Sequence, residues 1–381
     1  MRITYLLESV GHTGGNVVLF HHMEAFANDG HEVWMLSPFG EAKWEPGKLE
    51  MFLSGEELGY DGPWKYAKKV KAQMRKVFPD LEGRVSSAIR GDSLRSSYDI
   101  TRRLISKWKD SDITIATHSK TANAAALLGN KTKSFYHIQG YEPWFSEDPI
   151  DQRIAELSYQ LPIRKIANCN WLKEKLGSVG CDNVSLVRPG LNHLIFNQNN
   201  RSSMKLGNGA VFNKIRIVSY ADSRPFKGWK DSCEAMQLVF QALGGDEYVD
   251  WTVFGNIESD DVDLPINYSG FLTHDDLAEL YSSADIVFLP SWFESFPLQP
   301  LEAMACGAAV VTTAIGTSDY ARDRDTAMVV PPKDPTALAS AILELAKDSE
   351  FRMNIARRGV VESRKYTWEQ SASEIRAALS Q

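Results

Sequence analysis

The chain has 381 residues, too many for one ordinary core and enough for two domains. Hydrophobic residues make up 43% and charged residues 24%, the balance of a soluble globular protein, and no apolar run reaches the roughly 18 residues that span a bilayer. A net charge of −7 speaks against general nucleic-acid binding, and Cys169, Cys181, Cys233 and Cys306 form no C-x-x-C pair, which fits buried thiols in a reducing cytoplasm better than a zinc site.

The first segment, MRITYLLESVGHTGG, lacks the long apolar stretch of a signal peptide and reads as a strand over residues 3–7. Gly11-His-Thr-Gly-Gly-Asn-Val17 follows it. Adjacent glycines let a ligand approach the backbone, but the G-x-G-x-x-G fingerprint is absent and a plain turn reads equally well. Leu19, Met23 and Phe26 then recur at helical spacing, and residues 32–36 form the next strand. Residues 62–109 hold 13 basic and 4 acidic side chains, against the sign of the whole chain. Within them, residues 64–78 put Tyr66, Val70, Met74 and Val77 on one helical stripe with lysines around the rest. That pattern fits a helix lying on an anionic membrane surface, and equally one packed on its own domain.

Short strands follow at residues 113–116, 134–138, 165–167 and 184–187. Thr117-His118-Ser119 ends the first of these. A histidine at a strand's carboxyl end suits a ligand cleft, although a structural histidine is the commoner reading. Residues 197–209 are rich in Asn, Ser and Gly and read as a linker. Strands then resume at 215–219, 251–254, 285–289, 309–312 and 328–330, with helical patterns between them. The alternation predicts two doubly wound α/β domains, 1–196 and 210–365. Ligands of such sheets bind beyond the carboxyl ends of the strands, so the site is expected in the cleft between the domains.

Residues 291–307, SWFESFPLQPLEAMACG, hold Glu294 in a strand-to-helix loop and Glu302 inside the helix. Free amides at a helix start favour a phosphate, and a carboxylate accepts two hydroxyls of a diol or sugar ring. A helix-start carboxylate plus a solvated glutamate fits the spacing equally. Arg224 and Lys227, in SYADSRPFKGW, sit at another such junction, where they suit a diphosphate or an ordinary surface turn. The D-x-D pairs at 261–263 and 323–325 directly follow no strand, so no metal site is expected. No nucleophile elbow or Walker loop occurs.

Taken together, these elements resemble the family 4 retaining glycosyltransferases of GT-B fold. ESFPLQPLEAMACGAAVV, residues 294–311, looks like that family's E-x7-E signature. Arg224 and Lys227 look like its diphosphate-binding pair, Gly14-Gly15-Asn16 like its glycine loop, His118 like its N-domain histidine, and RPGLNH at 188–193 like the segment that ends its N-domain. The resemblance implies a nucleotide-diphosphate sugar donor and no cofactor. Gly15, Asn16, Arg224, Lys227, Glu294, Ser295, Phe296, Leu298 and Glu302 would bind the donor. Glu294, His118, Arg224 and Lys227 would be catalytic, and a last helix over 366–381 would cross back to the N-domain. The segment YHIQGYEPWF, residues 136–145, resembles one in surface-polysaccharide and rhamnosyl transferases. It nominates Tyr141, Glu142 and Trp144 for a sugar-containing or lipid-linked acceptor. Three departures stand out. Arg224 and Lys227 are three residues apart where the family usually has six, Pro297 replaces a glycine, and Gly190 replaces an asparagine. Another GT-B activity, a nucleotide-sugar epimerase or a phosphorylase, and a non-catalytic nucleotide-sugar or glycan binder remain as alternatives. Donor turnover with and without acceptor separates them.

Overall fold

The computed structural model describes residues 1–10, 14–49, 93–199, 214–257 and 264–381, and the chain divides into two compact units. The first comprises Met1–Asn168, Leu172–Val187 and Ala372–Gln381, and the second Cys169–Trp171 and Arg188–Ser371. The basic amphipathic segment at 64–78 and most of the 197–209 linker lie outside the described residues.

The first unit is built from β1 (Arg2–Leu6), α1 (Gly14–Asn28), β2 (Glu32–Ser37), β3 (Gly40–Trp44), α2 (Ser93–Lys107), β4 (Ile113–Ala116), α3 (Ser119–Leu127), β5 (Lys133–Ile138), α4 (Pro149–Ser158), β6 (Arg164–Ala167), α5 (Asn170–Ser178) and β7 (Val184–Leu186). Its sheet runs β3-β2-β1-β4-β5-β6-β7, parallel except for β3. Strands covered on both faces are mostly apolar, and the buried threonines in β1 and β4, Thr4 and Thr114, are tolerated because their hydroxyls pair with Ser111 and with Trp108 and Thr132. The edge strand β3 was not expected. Its sequence, GEAKW, alternates in burial, but only Ala42 and Trp44 give the inward face any apolar weight. Leu19, Phe20, Met23 and Phe26 of α1 pack on Ile3, Val33, Ile113 and Phe135 of the sheet. Each such side chain contributes about 1.5–3 kcal/mol when fully buried.

The second unit is built from β8 (Ile215–Asp222), α6 (Trp229–Leu243), β9 (Val249–Asn256), β10 (Asn267–Gly270), α7 (His274–Ser283), β11 (Ile286–Leu289), α8 (Leu298–Ala305), β12 (Ala309–Thr313), β13 (Met328–Val330), α9 (Pro335–Lys347) and α10 (Ser349–Ser363). Its sheet runs β10-β9-β8-β11-β12-β13, all parallel, the strand order of a dinucleotide-binding fold. Trp251 and Phe288 stack at 6.3 Å within its core. Side chains of Thr273, Asp334 and Asp348 accept backbone amides at the starts of α7, α9 and α10, the capping that fixes where each helix begins. β10, with the sequence NYSG, lies largely exposed on the edge and left no apolar signal.

The last helix, α11 (Trp368–Ser380), places Ile375, Ala378 and Leu379 in the core of the first unit. None of the four cysteines, all among the described residues, is in a disulfide; three are buried and Cys233 is half-buried.

Candidate functional site

In a sheet of this strand order, ligands sit where the order reverses, beyond the carboxyl ends of the two central strands. In the second unit those strands are β8 and β11. The chain leaves β8 at Asp222 and enters a short 3₁₀ turn, Pro225–Lys227. It leaves β11 at Leu289 and loops to α8. The two loops touch because residue 228 is glycine. Its φ is +74°, and a Cβ there would lie 2.4 Å from the Pro290 carbonyl oxygen.

That approach brings Lys227 and Glu294 into a direct ion pair, with side chains only 15% and 16% exposed. Arg224 is held differently. Its Nε and Nη2 donate to Oδ1 and Oδ2 of Asp222 at 2.8 and 2.7 Å. Asp222 also accepts the Arg224 amide and the Tyr220 hydroxyl. Burial pushes the Asp222 carboxyl up, but these hydrogen bonds outweigh it and leave the group well below the usual carboxylate range. Arg224 and Lys227 both lie over the ring of Phe226, at 5.3 and 5.6 Å, and Phe226 stacks on Phe293 at 5.0 Å.

Glu302 lies on α8, 7% exposed. Burial alone pushes its carboxyl up to about 8, and no described side chain donates a hydrogen bond to compensate. Ser295 is half-buried in the loop. The Phe296 ring packs on Tyr320 and Tyr366 at 5.3 and 5.5 Å. Leu298 opens α8 after Pro297, whose carbonyl accepts the Tyr320 hydroxyl.

The first unit repeats the arrangement. Its order reverses between β1 and β4, and Glu8 and His118 each stand two residues beyond those strands. His118 caps α3, with Nδ1 accepting the Lys120 amide at 3.2 Å while Thr121 closes the capping box. A ring nitrogen that accepts an amide has no proton of its own, so the neutral ring bears its proton on Nε2. That nitrogen lies 3.3 Å from Glu8 and 3.5 Å from Glu142. Glu142 also accepts the Ser119 amide and the Tyr136 hydroxyl. Lys120 Nζ is 3.4 Å from Glu8 and 3.7 Å from Asp151. These groups line a cavity of about 390 Å³. Tyr141 is buried between the rings of Trp144 and Tyr159, and Trp144 is 39% exposed. Gly15 and Asn16 lie in the first turn of α1, where a Cβ on Gly15 would come within 3.4 Å of Gln139, another residue of the cavity wall.

The structure therefore gathers Lys227 with Glu294, and His118 with Glu142. Glu8, Lys120, Asp151 and Asp222 were missed in the sequence. Glu8 and Asp222 had a usable signal, since each is a carboxylate at the carboxyl end of the first strand of its sheet. Lys120 and Asp151 had none, because only the fold brings them together. Among the described residues no group of three His, Cys, Asp or Glu is placed to hold a metal ion. No helix among them is long and apolar enough to cross a membrane.

Residues 215–348 match the family described as glycosyl transferases group 1. The match lies wholly within the second unit. The chain is 38% identical over 104 residues to the D-inositol 3-phosphate glycosyltransferase of Salinispora tropica, covering 27% of this chain and 22% of that one. It is 33% identical over 109 residues to the O-antigen chain mannosyltransferase B of Escherichia coli, covering 29% and 28%. The chain thus spans less than a third of the length of either of these relatives. Among solved structures it superimposes on Anabaena HepE in complex with UDP-glucose with a TM-score of 0.70 at 16% identity, covering 100% and 99% of the two chains. Sucrose-phosphate synthase from Thermosynechococcus elongatus superimposes with a TM-score of 0.70 at 17% identity, covering 99% and 97%. The fold is that of GT-B glycosyltransferases.

Proposed function

We propose that the protein is a retaining glycosyltransferase that moves a sugar from a nucleotide-diphosphate donor to a glycan, lipid-linked or small-molecule acceptor without a metal ion. The observation that supports this most is Glu302. Burial makes ionisation of this carboxyl costly, no side chain among the described residues donates to it, and a ribose diol supplies two hydroxyls that would stabilise its charged form. It lies on the helix that follows the Lys227–Glu294 pair, at the reversal point where such sheets take nucleotides.

In this reading Glu302 holds the ribose and Glu294 the transferred sugar. Ser295 and the amides of Phe296 and Leu298 line the sugar, and Gly15 and Asn16 approach the donor through their backbone. Arg224 and Lys227 take the charge that grows on the leaving diphosphate, which is where stabilisation accelerates the reaction. His118 donates from Nε2 to a sugar oxygen. The departing phosphate oxygen accepts the acceptor's proton on the same face, so retention needs no protein nucleophile. Release of nucleoside diphosphate from a panel of nucleotide sugars, with and without candidate acceptors and with and without EDTA, tests the reading. Acceptor-dependent release that survives EDTA supports it. No turnover of any donor, or loss in EDTA restored by Mn²⁺, overturns it.

A further inference from the structure

We infer that the cavity in the first unit is a subsite for an uncharged, hydroxyl-rich sugar ring and that it rejects a phosphorylated one, with Glu8 and Phe145 as its selecting residues. The inference rests on the glycosyltransferase reading and names its acceptor class. Its starting point is charge. Among the described lining residues, Glu8, Glu142 and Asp151 set three carboxylates against the single ammonium of Lys120. Lys120 is already engaged by two of them. His118 Nδ1 is already taken by the helix amide, which leaves Nε2 as the one ring atom facing the cavity carboxylates. A phosphate entering this cavity would meet net negative charge and no guanidinium, the opposite of a phosphate site.

The same groups suit hydroxyls. Glu142 is the less available carboxylate, since the Ser119 amide, the Tyr136 hydroxyl and His118 surround it and it is 11% exposed. Glu8 is 34% exposed, and its ion pairs among the described residues are with His118 and Lys120, both beyond 3 Å. It is the carboxylate that can turn to accept a ligand hydroxyl, while His118 Nε2–H and Lys120 can donate. Phe145 adds an apolar wall, 48% exposed, against which the C–H face of a ring can lie. Gly140 makes its position possible, because a Cβ at 140 would stand 2.6 Å from Phe145 Cε2. The cavity volume lies in the range of small-molecule sites.

Saturation-transfer NMR on the full chain tests this with methyl glucoside, mannoside and galactoside, each beside its 6-phosphate, and with UDP binding measured on the same samples. At least one neutral glycoside should bind, and its 6-phosphate should bind at least tenfold more weakly. Glu8→Gln should narrow that difference, and Phe145→Ala should weaken the neutral glycoside by about tenfold. Equal or tighter binding of the phosphates, or no change in either variant, overturns the inference. UDP binding with no glycoside binding overturns the acceptor assignment alone, whereas a protein that binds neither overturns the glycosyltransferase reading beneath it.

Discussion

The Asp222 carboxylate grips the Arg224 guanidinium at two points, 2.8 and 2.7 Å, across one intervening residue. The contact occupies the Nε–Nη2 edge and leaves Nη1 for a ligand. It also cancels a charge. With Lys227 paired to Glu294, the two cations expected to meet a diphosphate are each matched by a carboxylate.

Asp222→Asn should therefore separate binding from turnover. Loss of the negative charge should tighten UDP binding, by up to about tenfold, since one unit of charge at effective dielectric 20 is worth on the order of kilocalories at contact. Turnover should fall, because the amide holds the guanidinium less firmly. Titration calorimetry with UDP and a donor-turnover assay read the two effects. Weaker UDP binding with unchanged turnover would show that Asp222 orients nothing.

Lys227→Ala should lower turnover by about a hundredfold, the usual loss when one group facing developing charge is removed. It should also destabilise the fold, because Glu294 is then partly buried without its partner. The cost should be about 1–3 kcal/mol. A Lys227→Ala/Glu294→Gln double variant should regain much of that stability in urea unfolding and none of the activity. Recovery of both would make the pair purely structural.

The sequence was most legible where burial leaves the residue type little choice. Strands such as residues 113–116 and 309–312 are covered on both faces, so they read as runs of apolar and β-branched residues, and their parallel pairing follows from the helices between them. Edge strands escape this logic. β3 and β10 need satisfy only one neighbour, and their Gly, Glu, Lys, Asn and Ser are ordinary for an edge. Glu294 and Glu302 stood out because fixed spacing across a loop–helix junction survives in one dimension. The contacts of Asp222 with Arg224, and of Lys120 with Asp151, depend on rotamers and on which strands the topology sets side by side.

Glu302 makes the sharpest pH prediction. Its carboxyl is raised from an ordinary value near 4.5 to about 8 by burial. The folded state therefore holds a proton that the unfolded state releases between those values. The stability linked to that proton is full below 4.5 and is lost as pH rises through about 8, by a few kcal/mol in all. Glu302→Gln removes the ionisable group, so its urea midpoint should fall less than that of wild type between pH 5 and 8.5, and the variant should be the more stable protein at the upper end. Donor binding should couple to the same proton. If ribose hydroxyls donate to the carboxylate, UDP favours the ionised form and its binding at pH 7 releases protons, which titrations in buffers of different ionisation enthalpy detect. In Glu302→Gln that release should disappear and the affinity for UDP should drop by about tenfold, the loss of one hydrogen bond to a charged group. Proton release that persists in the variant, or pH curves that run parallel, would assign the buried carboxylate a role in packing alone.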